Sequence, residues 1–363
     1  MKRKTIYFTA PRQVELREES LPALGADDVL VETICSSISA GTEMLVYRGQ
    51  FPHLVDAHDS FSSDLNYPLA YGYACVGRIK EIGKQVDKSL LDKLVFGFQP
   101  HTSAFICDPA SLIFAPASLS AEACSCLPNM ETAVNLIQDA APIFGERVLV
   151  LGQGVIGLLV ASLLKEFPLE SLVTSDRYAL RRKASLEIGV TDSFDPQLIN
   201  LSSQSTSQPT SQSTSQLASQ PTSQLASQPT TKHQRAYAQN FDLTFELSGS
   251  PSALNDAIAM TSFSGRVIIG SWYGEKRAEI DLGGAFHRSR IKLISSQVST
   301  IAPELSGRWN KARRFDVAWK ALERIKPEKW ITQRFPIADA AQAYELLDKN
   351  PQETLQVLFE YGK

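Results

Sequence analysis

Apolar residues in the first third of the chain fall in short alternating or continuous runs. These are Thr5–Phe8, Val29–Ile34, Ala74–Ile82, Leu94–Phe98 and Ser111–Phe114. Gly, Pro and Asp or Asn separate many of them, the punctuation expected of strands joined by turns. From 127 to 300 the pattern changes. Strand-like runs at Val148–Leu151, Leu172–Ser175, Leu243–Leu247, Arg266–Gly270 and Ile291–Ser295 alternate with helical patterns, which lie between the first three runs and at Ser252–Met260. That alternation predicts a doubly wound α/β domain with a parallel sheet. The tail is mixed, with a strand at Ile331–Pro336, a helix at Asp339–Leu347 and a final strand at Leu355–Tyr361.

One stretch fits neither pattern. Residues 203–230 are seven consecutive Ser-Gln-x-x tetrapeptides without charge or aromatic residues. Such a segment buries too little apolar surface to offset its ordering entropy, and a period of four is too short for a solenoid unit. We expect a disordered Ser/Gln/Thr-rich insertion over 201–232, in a surface loop between α/β elements.

The run Val148–Leu151 enters the turn Gly152-Gln153-Gly154-Val155-Ile156-Gly157, and the helix-like LLVASLLK leaves it. A second strand-like run then ends at Asp176, 19 residues after Gly157. Strand, G-x-G-x-x-G, helix and a distant acidic residue together form the dinucleotide-binding fingerprint. Gly152 permits the tight turn, Gly154 lets backbone approach a pyrophosphate, and Gly157 lets helix and strand pack closely. The helix N-terminus offers unpaired N–H groups to phosphate. Asp176 can accept hydrogen bonds from a ribose 2′-hydroxyl and would repel a 2′-phosphate, which favours NAD. Arg177, Arg181 and Arg182 follow it and leave NADP open.

Composition adds mainly exclusions. With 363 residues, 43% hydrophobic and 21% charged, and a net charge of −3, nothing global points to nucleic acid or membrane. The basic Met1–Lys4 is followed by β-like sequence rather than a signal-peptide core. The five cysteines (Cys35, Cys75, Cys107, Cys124 and Cys126) form no C-x-x-C pair. An odd count without a signal peptide fits reduced thiols in the cytoplasm.

A β-rich first part, a central nucleotide-binding unit and a C-terminal return resemble the medium-chain dehydrogenase/reductase superfamily, the fold of zinc alcohol dehydrogenases. Local matches carry the likeness: Gly41-Thr42-Glu43; Pro68, Gly72, Gly77 and Gly83; Thr132-Ala133; Glu246-Leu247-Ser248-Gly249; and Gly265-Arg266-Val267. The segments Ile38–Gly49, Tyr67–Gly77 and Val95–His101 are similar to the bacteriochlorophyllide 3-hydroxyethyl dehydrogenase group within it. The resemblance implies a GroES-like catalytic domain over 1–125 and 306–363, and a Rossmann domain over 126–305. It also implies a cofactor set of Gly152, Gly154, Val155, Ile156, Gly157, Asp176, Arg177, Ser248 and Gly270.

The superfamily's zinc ligands do not match. Ala40 stands where a cysteine precedes G-T-D, and Tyr73-Ala74 replace a His-Glu pair. A catalytic zinc needs three N, S or O ligands; Ala cannot serve and neutral Tyr serves poorly. We therefore expect hydride transfer without metal, with a hydrogen-bond donor in the metal's place. The candidates are Thr42, at the position of the superfamily's relay hydroxyl; Tyr73; His101, whose imidazole suits proton exchange near neutral pH; and Glu43, which could orient a partner. The first three have plainer readings: a turn threonine, a space-filling tyrosine and a satisfied structural histidine.

The leading function is a zinc-independent NAD(P)-dependent dehydrogenase acting on a hydroxyl or carbonyl of a bulky small-molecule substrate. The alternatives are a quinone or enoyl (C=C) reductase of the same superfamily and a non-catalytic nucleotide-binding protein. A basic stretch from His287 through Arg288, Arg290 and Lys292 to Arg308, Lys311, Arg313 and Arg314 is either an anion site or, as such runs commonly are, a solvated face. If the last Rossmann strand lies at the sheet edge, pairing with its twin makes a homodimer, as the resemblance implies.

Overall fold

The computed structural model describes residues 1–51, 66–198 and 240–362. The Ser-Gln insertion lies outside the described residues. Three sheets organise the rest. β1 (Lys2–Ala10) pairs antiparallel with β2 (Gln13–Ser20) and with the short β4 (Leu69–Ala70). A larger sheet runs β15 (Ile331–Pro336), β16 (Gln356–Glu360), β3 (Val29–Ser37), β5 (Cys75–Ile82), β6 (Leu94–Gly97), β8 (Ile113–Phe114), with β7 (Ala104–Cys107) also on β3. The C-terminal return thus completes the sheet begun by the first third of the chain: β16 lies antiparallel to β3, with Leu358 opposite Ser37.

The third sheet is wholly parallel, in the order β11 (Asp192–Phe194), β10 (Ser171–Ser175), β9 (Arg147–Leu151), β12 (Phe241–Glu246), β13 (Thr261–Ile269), β14 (Lys292–Ser295). In chain order this is 3-2-1-4-5-6, the doubly wound arrangement whose order reverses between its first and fourth strands. Burial on both faces explains the apolar character of these strands. Val148 and Val150 of β9 pack into one cluster with Leu158 and Leu159 of α4 (Val155–Leu164), whereas Leu149 and Leu151 join Leu254 and Ala257 of α6 (Ala253–Met260) on the other side. A register shift in β12 between Phe241 and Leu243 places those two residues in opposite clusters despite their spacing of two.

The remaining helices are α1 (Thr42–Arg48), α2 (Ala121–Cys124), α3 (Leu127–Ala140), α5 (Ala179–Ile188), α7 (Lys311–Ile325) and α8 (Ala340–Lys349). No helix among the described residues is long and apolar enough to cross a membrane. Two expectations shift. The strand expected over Ser111–Phe114 shrinks to its last two residues, because Asp108 caps a 3-10 turn over Pro109–Ser111. The basic stretch divides: His287, Arg288, Arg290, Lys292 and Arg308 are exposed, whereas its last members are engaged. Arg314 is fully buried against Glu131 of α3, Lys311 reaches the same carboxylate at 2.6 Å, and the Arg313 guanidinium lies 4.1 Å over the Trp309 ring.

Candidate functional site: a dinucleotide turn and a hydroxyl cluster

The reversal of strand order puts the ends of β9 and β12 side by side, where ligands bind in such sheets. Gly152 follows β9 with φ +90°, and a Cβ there would lie 2.5 Å from the Leu247 carbonyl. Gly157 is tighter: its Cβ would sit 2.0 Å from the Gly152 carbonyl, so α4 can begin this close to β9 only with glycine at this position. Gly154 is the N-cap of α4 and no side chain caps the helix. The amides of Val155, Ile156 and Gly157 therefore have no intrahelical acceptor and are available to phosphate.

Asp176 follows β10 and is 7% exposed. Its carboxylate is fixed at both oxygens, accepting N–H bonds from Gln153 (2.8 Å) and Tyr178 (2.8 Å), with the Arg181 guanidinium 3.9 Å away. Each oxygen keeps a lone pair for a ribose hydroxyl. Arg177 is exposed, and Arg177 and Arg181 stack on the Tyr178 ring at 5.0 and 4.9 Å. Ser248 belongs to a different cluster. The buried Glu246 accepts its N–H (2.9 Å) and its hydroxyl, as well as the Tyr273 hydroxyl at 2.6 Å. Burial, then that carboxylate, pushes the Tyr273 phenol well above its ordinary value. Gly270 ends β13, its amide donating to the Glu246 carbonyl at 3.1 Å.

The proposed catalytic residues separate into two layers. Tyr73, between β4 and β5, is half-buried, with the Ser39 and Thr42 hydroxyls as partners of its phenol. Burial, followed by the nearby Glu43 charge, pushes Tyr73 up to about 12, against the opposing pull of those two hydroxyls. Thr42 is the first residue of α1, so its hydroxyl is held by the helix that Ser39 introduces. Beneath lie Glu43 and His101, both fully buried. His101 Nε2 lies 2.8 Å from Glu43 Oε2, and Ser36 Oγ lies 2.6 Å from Nδ1. Both ring nitrogens are engaged within the protein and the ring is fully buried. Sequence reasoning missed Ser39, Ser36, Tyr344 and Tyr361, which complete these layers. Ser39, three residues before Thr42, was the one with a local signal.

The donor set does not fit zinc. Around Tyr73 stand hydroxyls, and Ala40 and Ala74 offer no ligand atom. Cys75 is buried, with its thiol turned to the Gln99 and Pro100 carbonyls at 3.5 and 3.1 Å. Among the described residues no group of three or more His, Cys, Asp or Glu side chains is arranged for a metal.

No protein-family model matches the chain. Over 116 residues it is 30% identical to the 2-desacetyl-2-hydroxyethyl bacteriochlorophyllide A dehydrogenase of Cereibacter sphaeroides, an alignment covering 32% of this chain and 30% of that enzyme. To the D-guloside 3-dehydrogenase of Escherichia coli K12 it is 20% identical over 98% of its own length and 99% of the relative's. The fold superposes on a solved alcohol dehydrogenase from E. coli CFT073, complexed with NADH, with a TM-score of 0.73 and 18% identity, covering 99% of each chain. That likeness shows a shared fold.

Proposed function

Because the chain belongs to the medium-chain dehydrogenase/reductase superfamily, we propose that it is a zinc-independent NAD(P)-dependent oxidoreductase, moving a hydride between nicotinamide and a hydroxyl or carbonyl of a bulky substrate. Nicotinamide supplies the hydride donor or acceptor carbon when bound. The Gly152–Gly157 turn and the α4 amides would hold its pyrophosphate, and Asp176 its adenosine ribose, with NAD preferred. Relatives named for bacteriochlorophyllide and for a guloside support a dehydrogenase acting on a sizeable small molecule. A run of rings leading from Tyr73 supports bulk and flatness: Tyr71 at 6.5 Å, Phe51 6.4 Å beyond it, and Trp272 4.6 Å beyond Phe51.

The observation that carries the metal-free reading is the Tyr73, Thr42 and Ser39 cluster at the metal's position. A phenol raised to about 12 stays protonated at neutral pH, so Tyr73 acts as a donor rather than a base. It hydrogen-bonds the substrate oxygen and stabilises the charge that develops there, while the Thr42 hydroxyl orients and exchanges that proton. A preorganised donor of this kind is worth on the order of a hundredfold to a thousandfold in rate. The exposed edge of β14, which pairs with β13 on one side, supports a homodimer joined through that strand.

Metal analysis of the purified protein, with NADH turnover on a panel of aldehydes, ketones and alcohols, tests this. We expect far less than one zinc per chain and a drop of about a hundredfold in kcat for Tyr73→Phe. About one tightly bound zinc per chain, or an unchanged Tyr73→Phe enzyme, overturns the mechanism.

A further inference from the structure

Arg181 stands where the nucleotide turn meets the larger sheet. It projects from α5 towards the turn: Nη1 lies 3.9 Å from Asp176 Oδ2, and a Cβ on Gly154 would lie 3.9 Å from the same nitrogen. From there Nη2 crosses to the C-terminal return, donating to the carbonyls of Pro351 and Thr354 at 3.2 and 3.5 Å. Pro351 opens a 3-10 turn, Pro351–Glu353, and Thr354 follows it on the way into β16. One guanidinium therefore touches both the ligand end of the parallel sheet and the segment that enters the other sheet.

Most of its donors are unspent. Among the described residues Nε is buried without a partner and Nη1 forms no hydrogen bond, Asp176 Oδ2 being too distant for one. A guanidinium carries five N–H donors in a rigid fork that matches phosphate and carboxylate. A tie serving stability alone would leave fewer idle, because a buried donor without an acceptor is unfavourable. Nη1 lies beside Gly154 and Asp176, so it stands ready for an oxygen of the pyrophosphate or the adenosine ribose.

The segment that Arg181 holds leads to the hydroxyl cluster. Two residues past Thr354, Gln356 is buried, and its Nε2 donates to the Ile38 carbonyl at 2.9 Å. The Ile38 amide donates back to the Val357 carbonyl at 3.0 Å. Ile38 is followed by Ser39, whose hydroxyl accepts the Thr42 amide at 3.4 Å. Thr354 is also buried, so the path from Arg181 to Thr42 runs through packed backbone and one immobile amide side chain.

We propose that Arg181 is a positioning residue that couples occupancy of the adenosine end of the nucleotide site to the placement of Ser39 and Thr42, through Thr354, Gln356 and Ile38. The proposal rests on the reading of Gly152–Gly157 and Asp176 as that site. Arg181 gives Nη1 to an oxygen of the adenosine diphosphate part and, fixed there, holds the Thr354 carbonyl. The hydroxyl cluster is thereby set in register with the bound hydride carrier.

The test is hydrogen–deuterium exchange with and without saturating ADP-ribose, which carries the adenosine and both phosphates but no nicotinamide. It is read on peptides covering 150–160, 350–358 and 36–48. In the unaltered protein ADP-ribose slows exchange in all three by about fivefold or more. In Arg181→Met, resaturated to allow for an affinity about tenfold weaker, 150–160 stays protected and the other two no longer respond. With saturating NADH and the aldehyde or ketone reduced fastest, kcat of this variant falls about tenfold or more. Arg181→Lys keeps the charge but not the fork, and serves in its place if Arg181→Met does not fold. A merely structural arginine would lower stability and leave the ligand response of 36–48 intact. Protection of 36–48 that survives in the variant, or that is missing in the unaltered protein while 150–160 is protected, overturns the proposal. Failure of ADP-ribose to protect 150–160 in the unaltered protein overturns the nucleotide-site reading, and the proposal with it.

Discussion

Glu131 and Arg314 join α3 to α7 through a charge pair almost entirely removed from water, and breaking it should cost a large part of the protein's stability. Arg314 is 0% and Glu131 3% exposed. Nε and Nη2 of the guanidinium donate to Glu131 Oε1 at 3.1 and 2.9 Å, and Nη1 donates to Asn135 Oδ1 at 2.5 Å and the Thr300 carbonyl at 3.0 Å. Replacing Glu131 with Leu leaves a buried guanidinium facing neutral acceptors alone. Removing one partner of such a pair costs about 3–5 kcal/mol, against a total stability of about 5–15 kcal/mol. The pair itself is worth much less, because its attraction mostly repays the desolvation of two ions. Glu131→Leu/Arg314→Met should therefore recover to within about 1–2 kcal/mol of the original protein. Lys311 reaches the same oxygen with a side chain 43% exposed, so Lys311→Met should cost less than about 1 kcal/mol.

Equilibrium urea unfolding followed by tryptophan fluorescence is a suitable assay. Trp319 lies in α7, 7% exposed, and reports on the helix that Arg314 anchors. A loss below about 1 kcal/mol for Glu131→Leu would mean that water reaches the guanidinium and the burial argument is wrong. A double variant no more stable than Glu131→Leu would refute the claim that the stranded charge, rather than lost packing, sets the cost.

Two further outcomes follow from the site and the core. Asp176→Ala removes the carboxylate that would repel a 2′-phosphate and leaves Arg177 and Arg181 beside the ribose position, so the ratio of NADPH to NADH affinity, read by fluorescence titration, should rise about tenfold or more; an unchanged ratio refutes the role given to Asp176. Cys75 and Cys126 are buried and pushed up to about 12, chiefly by desolvation. The folded state holds protons that an unfolded thiol releases near pH ~8.5, so their contribution is complete below that pH and is lost as pH rises towards about 12, at about 2 kcal/mol per thiol by pH 10. Under reducing conditions Tm should fall clearly between pH 7.5 and 10, and a flat profile would refute the burial of these thiols.

Legibility in the sequence tracked the range of the contacts. The glycine turn, the strands around it and Asp176 were readable because each signal lies within one α/β unit, and the parallel sheet follows the expected alternation. β2 escaped notice because only Val14 and Leu16 are apolar in a strand otherwise polar or charged, as befits one at a sheet edge. The nearness of Thr42 to Tyr73 was legible by position, but not the layer beneath them. Glu43 meets Tyr344 across 301 residues and Ser36 meets Tyr361 across 325, separations that no periodicity records. Arg314 shows the same limit, since a basic residue among basic neighbours reads as solvated until α3 is seen to offer Glu131.

The proposed metal-free reading asks how Ala40 and Tyr73 can stand together, and the two layers bear on it. A carboxylate buried beside a catalytic centre requires compensation, and a bound dication would supply it. Around Glu43 the protein's own groups are placed to supply that compensation: the His101 ring, the Tyr344 hydroxyl and the Ser39 amide. A metal would polarise a substrate oxygen with positive charge. In the proposed mechanism a neutral phenol at Tyr73 instead donates a hydrogen bond as negative charge develops on the substrate. On the proposed metal-free reading, the unmatched zinc-ligand positions and the network of Tyr344, His101, Ser36 and Tyr361 behind Glu43 belong together as one way of supporting the reaction.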